Sequence, residues 1–197
     1  MAKQQKKDES KVDAQVELGQ KDFEQALGAA KDIMESMGMT PEEKENADKM
    51  LEHLGNGGTL ADLYNLGEKD LEVIYSFALN FYKNEKYADA ISIFRYLCMN
   101  DHLTQKWWIG LGAAQQKSGD YQGAIQSYTM ATMLDVEDPR PPLHGGYCLM
   151  MLGQNEQATN AFEHVVMVCD KKPEHAALKT QAEMLLGVVR SGSKDKK

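Results

Sequence analysis

The feature that most constrains this chain is a spacing of 34 residues that recurs through its middle. Anchored on Gly119, Tyr121, Ala124, Tyr128 and Ala131, one step of 34 residues back gives Glu85, Tyr87, Ala90, Phe94 and Leu97, and one step forward gives Gly153, Asn155, Ala158, Phe162 and Val165. The segment ahead of each turn keeps the register: Ile74, Phe77, Ala78 and Phe81 become Trp108, Leu111, Gly112 and Gln115, then Pro142, Gly145, Gly146 and Leu149. Apolar residues three and four apart on both sides of each turn mean two helices per copy. One such hairpin leaves an apolar face bare, so the copies must stack, and the expected fold is an all-α solenoid of three helical hairpins.

The W-x-x-L-G of the first helix and the A-x-x-x-[FY]-x-x-A of the second resemble the tetratricopeptide repeat at its usual period. Close packing accounts for the pattern. Ala78, Gly112 and Gly146 are expected to leave room for Ala90, Ala124 and Ala158, while Phe94, Tyr128 and Phe162 fill the seam with the next unit. The first copy carries Glu85 where the turn glycine usually stands, and "EDPRPP" opens the third, with Asp138 able to cap and Pro139 able to sit in the first turn. The prolines that follow are expected to delay the helix by a few residues.

Outside the repeats, Thr40 and Glu43 form a capping-box pattern with Pro41 at the first helical position, Gly55 follows the last apolar residue, and Thr59 begins a short helix "LADLYNL". Residues 174–190 place Ala177, Ala182, Leu185, Leu186 and Val189 near one side, as a helix capping the open end of a solenoid would. Val16, Phe23, Leu27, Ala30, Met34 and Met37 form a narrow heptad-like seam. It suits either a helix folded onto its own array or a homodimer contact through Phe23, Leu27 and Met34. The expected organisation is a disordered tail over 1–11, an N-terminal helical extension over 12–68, three repeats over 69–170, a capping helix over 171–190 and a second disordered tail over 191–197.

Composition narrows the function. A net charge of −8 argues against nucleic acid as a partner, since such binding needs clustered Lys and Arg. No run of about 18 apolar residues is present to span a bilayer, and the charged N-terminus lacks the apolar core of a signal peptide, so a cytoplasmic protein without stable membrane insertion is expected. Cys98, Cys148 and Cys169 are odd in number and widely separated, which suits buried reduced thiols. The five histidines make no H-E-x-x-H pattern, "GLGAAQ" is a broken dinucleotide fingerprint, "GNGGT" lacks the phosphate-loop lysine, and no serine stands in a G-x-S-x-G elbow. Neither catalysis, a metal nor a cofactor is expected.

A solenoid of hairpins offers a groove lined by the first helix of each unit. The groove positions are Tyr75, Leu79 and Tyr82 in the first copy, Ile109, Ala113 and Gln116 in the second, and Leu143, Tyr147 and Met150 in the third. This face is apolar and aromatic. Tyr and Met give large, adaptable contact area, as a hydrophobic segment would require. A groove built for a terminal carboxylate would instead carry Lys and Arg, so a general scaffold for soluble proteins is the alternative that this composition disfavours.

Several stretches carry a closer resemblance: G-x-T-L-x-D-L from residue 57, the I-Y-S-x-A helix, the F-R-Y-L-C-x-x-D end of the first repeat, "GLGAAQQ" of the second, and "PPLHGGYC", which matches P-x-x-H-x-G-x-C. Over roughly residues 48–169 the chain resembles the class II chaperones of bacterial type III secretion. The resemblance implies a non-enzymatic chaperone that holds hydrophobic translocator proteins by a short, extended, proline-containing segment in the groove. It places Tyr75 and Tyr82 on family groove aromatics, with Leu79 replacing what is often a third tyrosine.

Overall fold

The computed structural model describes residue 38 and residues 40–192. Among the described residues there are nine α-helices, one 3-10 turn and no strand. They fall into two compact units that divide between Thr59 and Leu60. Phe23, Leu27 and Met34, the candidate oligomer contact, lie outside the described residues.

The first unit contributes α1 (Pro41–Gly55), begun by a complete capping box. The Thr40 backbone N–H donates to the Glu43 carboxylate at 2.8 Å, and the Thr40 hydroxyl accepts from the Glu43 N–H at 3.3 Å. Two of the free donors at the helix start are thereby satisfied.

The second unit opens with α2 (Leu60–Leu63), shorter than "LADLYNL" suggested because Asn65 turns left-handed and the Leu66 N–H closes back onto the Ala61 carbonyl. Three hairpins follow: α3 (Glu68–Lys83) with α4 (Tyr87–Asn100), α5 (Gln105–Ser118) with α6 (Tyr121–Leu134), and α7 (Arg140–Met151) with α8 (Asn155–Cys169). A 3-10 turn at Pro173–His175 leads into α9 (Ala176–Gly192). From α3 onward each helix packs on the next in chain order, as stacked hairpins must.

The period holds at the turns. Glu85, Gly119 and Gly153 all adopt left-handed backbone, with φ of 59°, 85° and 72°. Only the first has a side chain to accommodate there, which strains that turn by about 1 kcal/mol.

Ala78, Ala90, Ala124 and Ala158 are fully buried where the helices of each hairpin meet. The glycines, however, make room for rings rather than for these alanines. A Cβ on Gly112 would stand 2.9 Å from the Tyr128 ring, and one on Gly146 would stand 2.6 Å from the Phe162 ring. The aromatics need the space because a phenyl ring cannot lie flat on a helix already covered by methyl groups. Gly110 does the same for Phe94 across the joint between the first two hairpins.

Phe77 differs in burial from its register partner: Leu111 is buried, but Phe77 is 57% exposed. Leu111 is covered by the preceding hairpin, whereas Phe77 belongs to the first copy and has none before it in this unit. At the other end α9 buries Ala182, Leu186 and Val189, as expected of a cap, but Ala177 is exposed and the adjacent Leu178 packs on the core in its place. The helix also runs to Gly192, into the segment expected to be tail.

Two motifs acquire physical reasons. In L-C-x-x-D, Leu97 and Cys98 are buried, and the Asp101 carboxylate accepts the Trp107 indole N–H at 3.0 Å, fastening the end of α4 to the start of α5. In "PPLHGGYC", the His144 ring stacks on Tyr128 at 5.5 Å between centroids, Gly146 admits Phe162, and Cys148 is buried. Helix α7 starts at Arg140, so the prolines delay it little. Asp138 sits two residues earlier, where its carboxylate accepts the Arg140 N–H at 2.9 Å and the guanidinium at 2.7 Å. Burial alone would raise the Asp138 pKa, but the Arg140 side-chain and backbone hydrogen bonds outweigh it and hold the carboxyl below its usual range.

Candidate peptide-binding groove

The groove positions follow i, i+4, i+7 steps along the first helix of each hairpin, so each trio lies on one helix face. Within α3 and α5 all six positions keep partial exposure. Tyr75, Leu79 and Tyr82 are half-buried against the upstream core, and Ile109, Ala113 and Gln116 are likewise partly open. Each keeps surface available while its base is fixed by packing.

Aromatic contacts fix the first trio. The Tyr75 ring meets Trp107 at 5.0 Å and Phe94 at 5.8 Å, and the Tyr82 ring meets Tyr87 edge-on at 5.7 Å. Such pairs hold rings in defined orientations. Burial raises the Tyr75 pKa, so it presents a neutral hydroxyl at physiological pH. Gln116 accepts a hydrogen bond from the Tyr128 hydroxyl at 2.9 Å, which leaves its amide NH2 for a partner.

Lys106 and Glu72 belong to the same faces, three residues before Ile109 and Tyr75, and sequence reasoning had not singled them out. They form an ion pair across adjacent first helices, and the ammonium also lies 4.4 Å from the Trp107 ring centroid and 5.7 Å from that of Tyr75. The charge is thus satisfied within the protein. Their spacing of 34 residues was the available signal: opposite charges one repeat apart meet when the copies stack.

The third trio is not assembled in the same way. Leu143 is only 2% exposed and lies in the core with Ala158, Phe162, Ala182 and Leu186, so it is not a wall of the groove. The cause is α9, which occupies the place a fourth hairpin would take and covers that position. Met150 is partly buried against the same core. Tyr147 remains partly open.

No set of three or more His, Cys, Asp or Glu side chains among the described residues is arranged to hold a metal ion. No helix among them is long and apolar enough to cross a membrane.

The family described as the tetratricopeptide repeat matches residues 71–102 and 106–138, the first two hairpins. Over 151 residues the chain is 34% identical to the low calcium response locus protein H of Yersinia pseudotuberculosis, an alignment covering 77% of this chain and 90% of that protein. Among solved structures, a type III secretion complex from Aeromonas hydrophila superposes with a TM-score of 0.72 at 36% identity, covering 76% of this chain and 99% of that one. The Yersinia enterocolitica type III secretion chaperone SycD, solved with a peptide of the translocator YopD, gives a TM-score of 0.61 at 33% identity, covering 65% and 97%.

Proposed function

The chain belongs to the type III secretion translocator chaperones, and from that membership we propose that it binds hydrophobic translocator proteins and keeps them soluble in the bacterial cytoplasm until they are secreted, without catalysing a reaction. The observation that carries this reading is the half-open aromatic face of α3 and α5, whose rings are held by contacts with Phe94, Trp107 and Tyr87. A fixed apolar surface can take up a segment that would otherwise aggregate, and release it intact.

The groove takes an extended, proline-containing segment. Such a segment has no internal hydrogen bonds to break and little conformational freedom to lose, so most of its contact energy appears as affinity. Proline rings lie well on the faces of Tyr75 and Tyr82, and the Gln116 amide can donate to a client carbonyl. A homodimer contact through Phe23, Leu27 and Met34 belongs to the same reading.

The alternative of an ionic scaffold for soluble proteins is opposed by a specific observation. Lys106, the cation on the groove faces of α3 and α5, already has Glu72 as partner. A client carboxylate would have to break that pair.

The test is co-expression with the apolar proteins encoded beside this chain, followed by co-purification and a mass for the complex. A soluble complex with a membrane-inserting protein, lost on changing Tyr75→Ala and Tyr82→Ala together, is the expected result. Capture of soluble proteins alone would end the translocator assignment.

A further inference from the structure

Two cavities lie on the side of the hairpins away from the groove, and none of the nine groove positions lines either. One, of about 310 Å3, lies between α6, α7 and α8; the other, of about 340 Å3, lies between α4, α5 and α6. They occupy the same place one repeat apart: Met99 becomes Met133, Leu111 becomes Gly145, and Met130 becomes His164. Helix α6 is the wall they share. Met99 and Met133, at the outer rims, are 68% and 69% exposed. Methionine is flexible and polarisable, and it suits a surface that must fit an incoming apolar side chain.

The downstream cavity is open for no packing reason. Gly112 and Gly146 are glycine because a ring needs the space, but a Cβ on Gly145 would stand 3.5 Å from Tyr128 Cβ, an ordinary contact. The neighbouring hairpin places a leucine at this position. His164 lines the same cavity with its Nε2 buried and without a hydrogen-bond partner. Beside the upstream cavity, exposed Arg95 has no ion pair among the described residues.

From these features we infer that the back face is a second client site, taking an amphipathic helix that straddles α6. The spacing selects a helix. A helix with its side chains is about 10–12 Å across, and knobs on either side of α6 must be separated by roughly that distance. Seven residues of helix rise about 10.5 Å and return to the same face. In an extended strand three residues span about 10 Å but point to opposite faces. The client helix therefore carries two large apolar residues seven positions apart and an acidic residue near the knob beside Arg95. This inference rests on the translocator-chaperone reading, in which a client too apolar to stay soluble needs more cover than one extended segment in a groove provides.

The experiment uses the full chain co-expressed with the full-length apolar client encoded beside it, with a photo-crosslinking benzoylphenylalanine placed at Met133 or, separately, at Ile109. Mass spectrometry of the cross-linked peptides is expected to give different client segments from the two positions, the Met133 segment having apolar residues seven apart. Gly145→Leu, which fills the cavity, is expected to raise the Kd for the full client about tenfold, the worth of one buried apolar side chain. It should leave the Kd for the isolated segment captured at Ile109 within about twofold of the parent value. Met133→Glu is the second variant, should Gly145→Leu disturb folding. The inference is overturned if Met133 captures only the Ile109 segment, captures residues 12–37 of this chain or another part of a second copy, or captures nothing while Ile109 captures client. No client at either position would overturn the groove reading, and the back-face site with it.

Discussion

The first and third hairpins share a period and the seam pair of Ala90 with Phe94, repeated as Ala158 with Phe162, yet they present different surfaces. In the first, Tyr75, Leu79 and Tyr82 face outward from a well-filled core, and Phe77 stands exposed at the edge of the unit. In the third, α9 covers Leu143, while Gly145 stands where the second hairpin has Leu111, beside a cavity. The seam positions are constrained because two helices share them and neither can change alone. Positions touched by only one hairpin are free to differ. Those positions carry an open aromatic face early in the array and a more closed one late.

The thiols probe the two hairpins without altering either. Burial pushes the Cys98 pKa up to about 12 in the first and the Cys148 pKa up to about 11 in the third. The thiolate is the reactive form, so at pH 8 iodoacetamide should modify Cys98 about a thousandfold, and Cys148 about a hundredfold, more slowly than the urea-unfolded chain. Mass-resolved alkylation kinetics would read both rates. Rapid reaction at Cys148 alone would mean that the third hairpin opens more readily than the first. The same groups set an alkaline limit. Their folded pKa values lie above the unfolded value, so their contribution to stability is complete below about pH 8.5 and declines as the pH rises toward 11 and 12.

The sharpest contrast in stability comes from cutting matched leucines. Leu143→Ala removes a core side chain and should destabilise the fold by about 2–5 kcal/mol. Leu79→Ala removes one that is partly open and should cost about half as much, since less of its surface returns to water on unfolding. Urea melts followed by circular dichroism would measure both. Equal losses would mean that the groove face of the first hairpin is as covered as that of the third, contradicting the difference between them.

Binding should show the reverse order. Tyr75→Ala with Tyr82→Ala is expected to weaken capture of a groove segment about ten- to a hundredfold while helicity stays within a few per cent. Tyr147→Ala should weaken it less, because its neighbour Leu143 is closed off. Calorimetric titrations of the three proteins with one segment would rank them. If Tyr147→Ala were the most damaging, the binding face would lie later in the array than the open aromatic residues indicate.

The period made the hairpins, their turns and the family legible in the sequence, because each seam position recurs three times, as Ala90, Ala124 and Ala158 do, and confirms its own register. Leu143, one of the nine groove positions, is buried. Its exposure depends on α9, a helix outside the repeat, so no spacing within the repeat could reveal it. Phe77 is exposed for the complementary reason, having no earlier hairpin within its unit to cover it. The ion pair of Glu72 with Lys106 was visible in principle as opposite charges one repeat apart. The cavities were not, since an empty volume depends on how rings from three helices settle.

The smallest expected effect isolates the turns. All three use a left-handed residue, but only the first forces a side chain into that conformation. Glu85→Gly should relieve the strain and stabilise the protein by about 1 kcal/mol, raising Tm by about 2–4 °C for a chain of this size. Glycine also loosens the unfolded chain, which takes back part of the gain, so the increase should fall at the low end of that range. Gly153→Ala in the third hairpin is the mirror experiment and should lower Tm by a comparable amount. A thermal melt that gave Glu85→Gly a lower Tm than the parent would mean that the Glu85 side chain contributes more in place than its backbone conformation costs.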